Sequence, residues 1–242
     1  MTARMARQWP VWIILLGLSL GHAAMAQNGP SAAEIAGYEG LHAAAARGDV
    51  ATIERLVRQG TVLNGRDTYN RTPLIVATFE RKHLAASALI AAGANINALE
   101  NSRYDMLTIA TVADDYQMVQ LAIRAGADAG LVTSPYDGTA LIASAHLGHV
   151  AIVRELIAAG APLDHVNNLG RTALIEAIVL GDGGYDHTSI VGDLIAAGAD
   201  VNLADGNSTN PLTLARQRGY AAIITFVGKG GREAVICWIR LR

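Results

Sequence analysis

Apolar residues recur along this 242-residue chain with a helical period, in short segments that end at glycines. Val150, Val153, Leu156 and Ile157, for example, fall on one face of a helix. Leucines recur in matching contexts with spacings of 33, 33, 34, 33 and 38 residues, at Leu41, Leu74, Leu107, Leu141, Leu174 and Leu212. A nearly constant spacing of this kind predicts a repeated structural unit.

Glycines follow these leucines in the same register, at Gly60, Gly93, Gly126, Gly160, Gly198 and Gly231. The offset from leucine to glycine is 19 residues in every unit except the fifth, where it is 24. The offset from glycine to the next leucine is 14, except before Leu141, where it is 15. The departures therefore reduce to one added residue before the fourth unit and five inserted residues within 181–189 of the fifth.

Each unit predicts a pair of short helices. Thr72-Pro73 places a hydroxyl at an N-cap and a proline at the first helical position, where its fixed φ is already helical. In the third unit Asp105 stands at this point, so either it caps the helix or the helix starts elsewhere. Glycines such as Gly48 and Gly93 favour the left-handed conformation that ends a helix. Since neither helix can bury its apolar face alone, neighbouring units are expected to stack into one core.

These units resemble the ankyrin repeat. The resemblance rests on Thr72-Pro73-Leu74-Ile75-Val76-Ala77, on Leu147-Gly148-His149-Val150-Ala151-Ile152-Val153 and on Gly198-Ala199-Asp200-Val201-Asn202. It implies an all-α ankyrin-repeat solenoid of about six helix-pair repeats over 38–231, with hairpin-like loops projecting to one side. An N-terminal segment, 27–37, is expected to form a cap, because Ser31 and Glu34 have the spacing of a capping box.

Two further segments lie outside the repeats. Residues 1–26 combine a positive start, an apolar run too short to span a bilayer, and small residues before Gln27, as a cleaved signal peptide does. The alternative is an uncleaved N-terminal anchor. The C-terminal tail, 232–242, is apolar; docking on the last unit, lying on a membrane and hanging free all remain open for it.

Composition favours a binding protein over an enzyme or a nucleic-acid-binding protein. Removal of 1–26 leaves 17 basic and 21 acidic residues, a formal charge of −4, which does not favour duplex nucleic acid. Cys237 is the single cysteine, so no disulfide can form within the chain.

The nucleophile-elbow, phosphate-loop and Cys-x-x-Cys motifs are absent from the sequence, and we predict neither catalytic residues nor a cofactor. His146, His149 and Asp164 are the alternative, as ligands in a metal-dependent enzyme or accessory factor.

The predicted partner-binding residues lie on the loop tips and on the exposed ends of the first helices. Tyrosine and arginine dominate many of these positions, and both contribute strongly to protein interfaces. The predicted set is Tyr69, Arg71, Phe79, Glu80, Arg103, Tyr104, Tyr136, His146, Leu169, Arg171, Gln217 and Arg218. In this arrangement Tyr69, Tyr104 and Tyr136 would follow one another along one edge of the array. The alternative is that these rings pack against neighbouring loops.

The sequence thus predicts a non-catalytic protein-protein interaction module that is periplasmic or secreted. Its expected partner is a protein of unknown identity, with no nucleic acid and no stable membrane insertion after signal cleavage. A second hypothesis within the binding class is an immunity-type inhibitor of a secreted toxic enzyme. The insertion at 181–189 is expected to form an exposed loop, either as a tolerated insertion or as a second contact site.

Overall fold

The computed structural model describes residue 27 and residues 29–228. The predictions for the signal peptide and the C-terminal tail therefore lie outside the described residues. A short helix, α1 (Ala32–Gly37), is followed by helices in pairs: α2 (Gly40–Arg47) and α3 (Val50–Arg58), α4 (Pro73–Phe79) and α5 (His83–Ala91), α6 (Met106–Val112) and α7 (Tyr116–Arg124), α8 (Ala140–Leu147) and α9 (Val150–Ala158), α10 (Ala173–Val179) and α11 (Tyr185–Ala197), α12 (Pro211–Arg218) and α13 (Ala221–Gly228). The all-α architecture is confirmed.

The first helix of each pair is here called the inner helix, and in units two to six a side chain caps its N-terminus. The side chain of Thr72 accepts a hydrogen bond from the amide three residues further on, and Thr139, Thr172 and Asn210 do the same. Asp105 takes this role in the third unit, so α6 begins at the same position of the repeat as the other capped inner helices. These caps satisfy amides that have no partner inside the helix.

The two helices of a pair are buried to different extents. All residues of inner helix α4 from Pro73 to Thr78 are buried, whereas the following outer helix α5 buries only Ala85, Ala86 and Leu89. Most of the buried apolar side chains form one cluster that extends from Leu41 to Val227. The inner helices therefore lie between neighbours on both sides, and the outer helices cover one side of the array.

The insertion in the fifth unit forms the exposed loop that its glycines predict only in part, because Asp182 and Tyr185 are exposed while other residues of it are helical or packed. Helix α11 has 13 residues against 9 in α9, because part of the insertion adds a helical turn. Gly181 is buried, and its carbonyl accepts a hydrogen bond of 2.8 Å from the hydroxyl of Tyr220. At Gly183, where φ is +70°, a Cβ would lie 2.4 Å from the Tyr220 ring. Part of the insertion is therefore packed against the sixth unit.

The N-terminal helix is fixed to the second unit by a buried ion pair. The predicted capping box is present: the Glu34 amide donates to the Ser31 hydroxyl, and the Ser31 amide donates to the Glu34 carboxylate. Glu34 also pairs with Arg71, whose side chain is only 2% exposed and which binds Asp67 at 2.7 Å as well. Tyr38 adds a hydrogen bond of 2.7 Å from its hydroxyl to Asp67. Helix α1 thus covers the end of the array.

Replacing Glu34 tests this cap. Hydrogen bonds from the Ser31 side chain and amide, and then from Arg71, lower the pKa of Glu34 from 4.5 to about 2. A carboxylate with a depressed pKa stabilises the fold above its unfolded pKa, and this stabilisation is lost as the pH falls towards the folded value. We expect Glu34→Gln to lower the free energy of unfolding at pH 7. The difference from wild type should shrink between pH 4.5 and about 2.

Urea unfolding, followed by circular dichroism across this pH range, measures the effect. Glu54→Gln is the matched control, because Glu54 is exposed and lies 3.9 Å from Arg58 in a surface pair. Equal behaviour of the two variants would contradict the role given to the Glu34–Arg71 pair.

Candidate protein-binding groove

The loops between successive helix pairs are tight hairpins, each closed by the side chain at its first position. In the hairpin before α10, the Asn167 side-chain oxygen accepts from the amides of Leu169 at 3.0 Å and Arg171 at 2.9 Å. Asp67 and Asp205 make the same pair of bonds in their own hairpins. A side chain that accepts amides two and four residues on fixes the turn locally.

Neighbouring hairpins are also joined to each other through the main chain. The amide of Asn101 donates to the carbonyl of Tyr69 at 3.1 Å, and the amide of Asn168 donates to Tyr136 at 2.9 Å. The amide of Ser134 makes the equivalent bond of 3.0 Å to Arg103. Together with the inner helices, these hairpins form one continuous surface, here called the groove.

A pocket of about 300 Å³ opens in the groove between α6, α8 and α10. Its size is at the lower end of the range for ligand pockets. Its apolar walls are Tyr104, Val112, Tyr136, Ile142, Ala143, Leu169 and Leu180, and its polar residues include Thr108, Thr133, Ser134, Thr139, His146, Asn167, Arg171 and Glu176. The loop before α8 contains the single residue added before the fourth unit, and its residues Thr133, Ser134, Tyr136, Gly138 and Thr139 line this pocket.

A buried carboxyl group lies at the floor of the pocket. Glu176 is 2% exposed, and its Oε1 accepts a hydrogen bond of 3.0 Å from the Asn167 amide group. Its Oε2 has no hydrogen bond within the described residues; the nearest cationic atoms are Arg171 Nη1 at 3.7 Å and His146 Nδ1 at 3.8 Å. Burial raises the pKa of Glu176, and Arg171 and the Asn167 hydrogen bond oppose the rise. The carboxyl group is therefore only partly compensated.

The N-terminal segment lies across the groove on one side of this pocket. The side-chain amide of Gln27 donates to the carbonyl of Thr108 on α6 at 3.3 Å. A Cβ at Gly29 would lie 3.1 Å from the Phe79 ring on α4, so the main chain there packs against that ring. This segment covers the inner helices α4 and α6, and the open part of the groove begins at Thr108.

Three of the predicted binding residues are buried, so the exposed positions predicted for them are wrong, although Tyr104 and His146 line the pocket. Arg71 is 2% exposed because it forms the buried pairs with Glu34 and Asp67. Tyr104 is 4% exposed and packs against Ile75 and other residues of a small apolar cluster below the hairpins. His146 is 9% exposed, next to Glu176. The predicted row of three tyrosines along one edge is therefore interrupted at Tyr104.

The other predicted residues reach the surface to different extents. Tyr69 and Leu169 are half exposed at their hairpins, and Gln217 and Arg218 are exposed on α12. Arg103 is at a tip but is paired with Asp137 at 2.7 Å. Those in an intermediate environment are Phe79, Glu80, Tyr136 and Arg171. The pocket brings together Tyr136, Leu169 and Arg171, while Tyr69, Gln217 and Arg218 lie outside it.

The alternative metal site is not assembled in the described part of the chain. His149 Nδ1 lies 3.0 Å from the Thr111 carbonyl, and Asp164 accepts the Asp200 amide at 2.9 Å. No group of three or more His, Cys, Asp or Glu side chains among the described residues is placed to hold a metal ion. Within residues 29–228, none of the helices is both long and apolar enough to cross a bilayer.

Glu176 and Asn167 are not among the residues predicted from the sequence, although the repeat register singles out Glu176. Glu176 stands two residues after its leucine, where the other units have Ala43, Val76, Ile109, Ala143 and Leu214. An acidic residue at a position that is otherwise apolar in every unit is the signal. Asn167 has a weaker signal, because it occupies the hairpin position of Asp67 and Asp205.

Comparison with known proteins agrees with this architecture. The family model described as ankyrin repeats (3 copies) matches residues 14–100 and 107–205. The putative ankyrin repeat protein YahD of Escherichia coli (strain K12) is 33% identical over 181 residues, which are 74% of this chain and 90% of that protein. The chain therefore belongs to the ankyrin-repeat family.

Solved structures of other ankyrin proteins superpose on most of the chain. An ankyrin repeat domain from Acinetobacter baumannii AYE is 43% identical, with a TM-score of 0.76, over 79% of this chain and 97% of that one. The ankyrin repeat protein EF0377 is 29% identical, with a TM-score of 0.73, over 79% and 98% of the two chains. Ankyrin repeats are in general interaction scaffolds, so the family indicates a protein-protein interaction module.

Alanine substitution of Tyr104 and of Tyr69 should lower the free energy of unfolding by different amounts, because Tyr104 is buried and Tyr69 is half exposed. Tyr104→Ala should lower the free energy of unfolding by about 3 to 5 kcal/mol, because it removes a buried ring from a packed cluster. Tyr69→Ala should lower it by less than about 1 kcal/mol, because its ring is half exposed and mainly stacks on Arg71. Chemical denaturation measures both values, and similar losses in the two variants would contradict the assignment.

Proposed function

We propose that this protein binds a protein partner, without catalysis, in the open part of its groove. The pocket between α6, α8 and α10 is the observation that carries this proposal, because it is concave, largely apolar and open at the hairpins. Leu169 is 49% exposed at its rim, and partly exposed Tyr136 stands opposite on the neighbouring hairpin. Apolar and aromatic anchors that fill such pockets provide most of the energy of many interfaces.

The position of the N-terminal segment supports the same location. Gln27 and Gly29 already occupy the groove at α6 and α4, so a partner would meet the surface from Thr108 onwards. The hairpins on this side are held by their own side chains and by each other. A surface that is fixed before binding loses little conformational entropy when a partner arrives.

A capture experiment with matched surface variants tests the proposal. The full chain with a C-terminal tag is expressed in a Gram-negative host and used to capture proteins from periplasmic extract. We expect the double variant Tyr136→Ser and Leu169→Ser to retain about a tenth or less of the partner, because it removes both pocket anchors. Leu84→Ser, which changes a 77% exposed side chain at the start of outer helix α5, should retain it fully.

Circular dichroism verifies that both variants are folded. Equal capture by the two variants would place binding elsewhere on the array. If wild-type protein captures nothing, the proposed function itself fails.

We further propose that the chain is exported to the periplasm or secreted, on the basis of residues 1–26. Export requires an uninterrupted apolar core in the signal peptide. We expect Leu15→Arg, within that core, to keep the protein in the cytoplasm. Gln8→Arg, which adds the same charge before the core, should leave export intact. Cell fractionation locates each variant, and mass spectrometry of the exported chain should find Gln27 at its N-terminus; a chain retaining residues 1–26 would contradict cleavage.

A further inference from the structure

The guanidinium of Arg171 stands in the pocket, and the described residues use none of its donors in a hydrogen bond. Its side chain is 28% exposed, and it makes no side-chain hydrogen bond to another described residue. Among the described residues, the closest carboxylate oxygen to its guanidinium is Glu176 Oε2, which lies 3.7 Å from Nη1 and so beyond hydrogen-bond distance. Arginine only donates hydrogen bonds and is always charged. A polar atom of any molecule that faces Arg171 must therefore be an acceptor, and a cation would be repelled.

The charged groups around Arg171 leave room for a further acceptor. Glu176 is buried, its Oε1 is already bound by Asn167, and burial disfavours its charged form. The charge of Arg171 also contributes to lowering the pKa of Asp205, on the next hairpin. Oδ1 of Asp205, however, already accepts the amides of that hairpin. His146, the remaining titratable group at this site, lies against Glu176 rather than adding a negative charge.

The rest of the pocket surface is mostly apolar, so a molecule that binds there must also have an apolar part. Val112, Ile142 and Leu180 come from three successive inner helices and their ends, and Leu169 stands at the rim. A volume of about 300 Å³ accommodates one aromatic or branched aliphatic group. The occupant therefore needs an apolar body and an acceptor at one end, and a carboxylate is the acceptor that matches a guanidinium best.

We propose that this pocket binds an apolar group that carries a carboxylate, with the carboxylate on Arg171 and the apolar body against Val112, Ile142 and Leu180. The inference deepens the proposed function and rests on it, because the group is assigned to the protein partner, as an aromatic side chain next to an acidic one. A free aromatic acid has the same chemistry, and the experiment distinguishes the two sources.

The first part of the experiment compares 4-phenylbutyrate with its amide, which differ only in the charged group. Titration of the isotope-labelled full chain, followed by amide chemical shifts in NMR, gives the affinity of each. We expect the acid to bind and to shift amides of the hairpins before α8 and α10. Arg171→Gln should weaken the acid at least tenfold and leave the amide unchanged.

Glu176→Gln should have the opposite effect and strengthen binding of the acid, because it removes the negative charge that the partly compensated Glu176 carboxyl group still places near Arg171. A purely structural role of this pair would not make the two variants change the affinity for the acid in opposite directions. Arg58→Gln, at a surface arginine whose side chain is 71% exposed on α3, is the charge-matched control and should leave both probes unaffected. Absence of binding by the acid, equal affinity for acid and amide, or an unchanged affinity in Arg171→Gln overturns the proposal.

The second part identifies the source of the carboxylate. An acetylated and amidated peptide with the sequence Gly-Phe-Asp-Gly is compared with its Gly-Phe-Asn-Gly counterpart. Preference for the aspartate peptide, lost in Arg171→Gln, supports a protein partner; binding of phenylbutyrate alone overturns that source in favour of a free acid. If Arg171→Gln still captures the protein partner that the Tyr136 and Leu169 double variant loses, this inference fails while the proposed function stands.

Discussion

Close stacking of the inner helices is the interaction on which the rest of the molecule depends. Three residues after its leucine, each inner helix has a small side chain that is at most 1% exposed: Ala44, Ala77, Ala110, Ser144, Ala177 and Ala215. Small side chains at a contact let two helices approach closely. The distance between neighbouring inner helices in turn sets the distance between neighbouring hairpins. The main-chain hydrogen bonds from hairpin to hairpin, such as that from Asn101 to Tyr69, require this regular spacing.

Because the inner helices pack closely, a charged group between them depends on nearby groups to compensate its charge. Arg71 is held between two carboxylates and fixes the N-terminal helix, so its charge is compensated in place. Glu176 occupies an inner-helix position where the other units are apolar, and its Oε2 has no hydrogen bond in the described chain. A buried charge with incomplete partners is costly in a packed interior. The floor of the pocket is thus one place where the array departs from a purely apolar core.

The sequence predicted the elements well because their determinants are local. Caps such as Thr72 and Asp105 act within three residues, and the leucine register specifies which helices stack. Burial of loop side chains depends instead on what the next unit and the N-terminal segment bring against them. Arg71 and Tyr69 lie two positions apart on the same hairpin, yet only Arg71 meets Glu34 from α1. Counting along a hairpin cannot reveal that contact, and the packed part of the insertion was not predicted because Tyr220 comes from the following unit.

Each of these hairpins contains two kinds of position with different structural roles. At Asp67, Asn167 and Asp205 the side chain itself holds the turn, whereas two residues later it is the main-chain amide that donates to this side chain. Those later positions carry Tyr69, Leu169 and Asn207, three chemically different side chains on the same backbone geometry. Mutation can therefore alter the outer residue of one hairpin without disturbing the turn or its neighbours. Recognition in such an array can drift one unit at a time during evolution, while the frame that presents it is inherited unchanged.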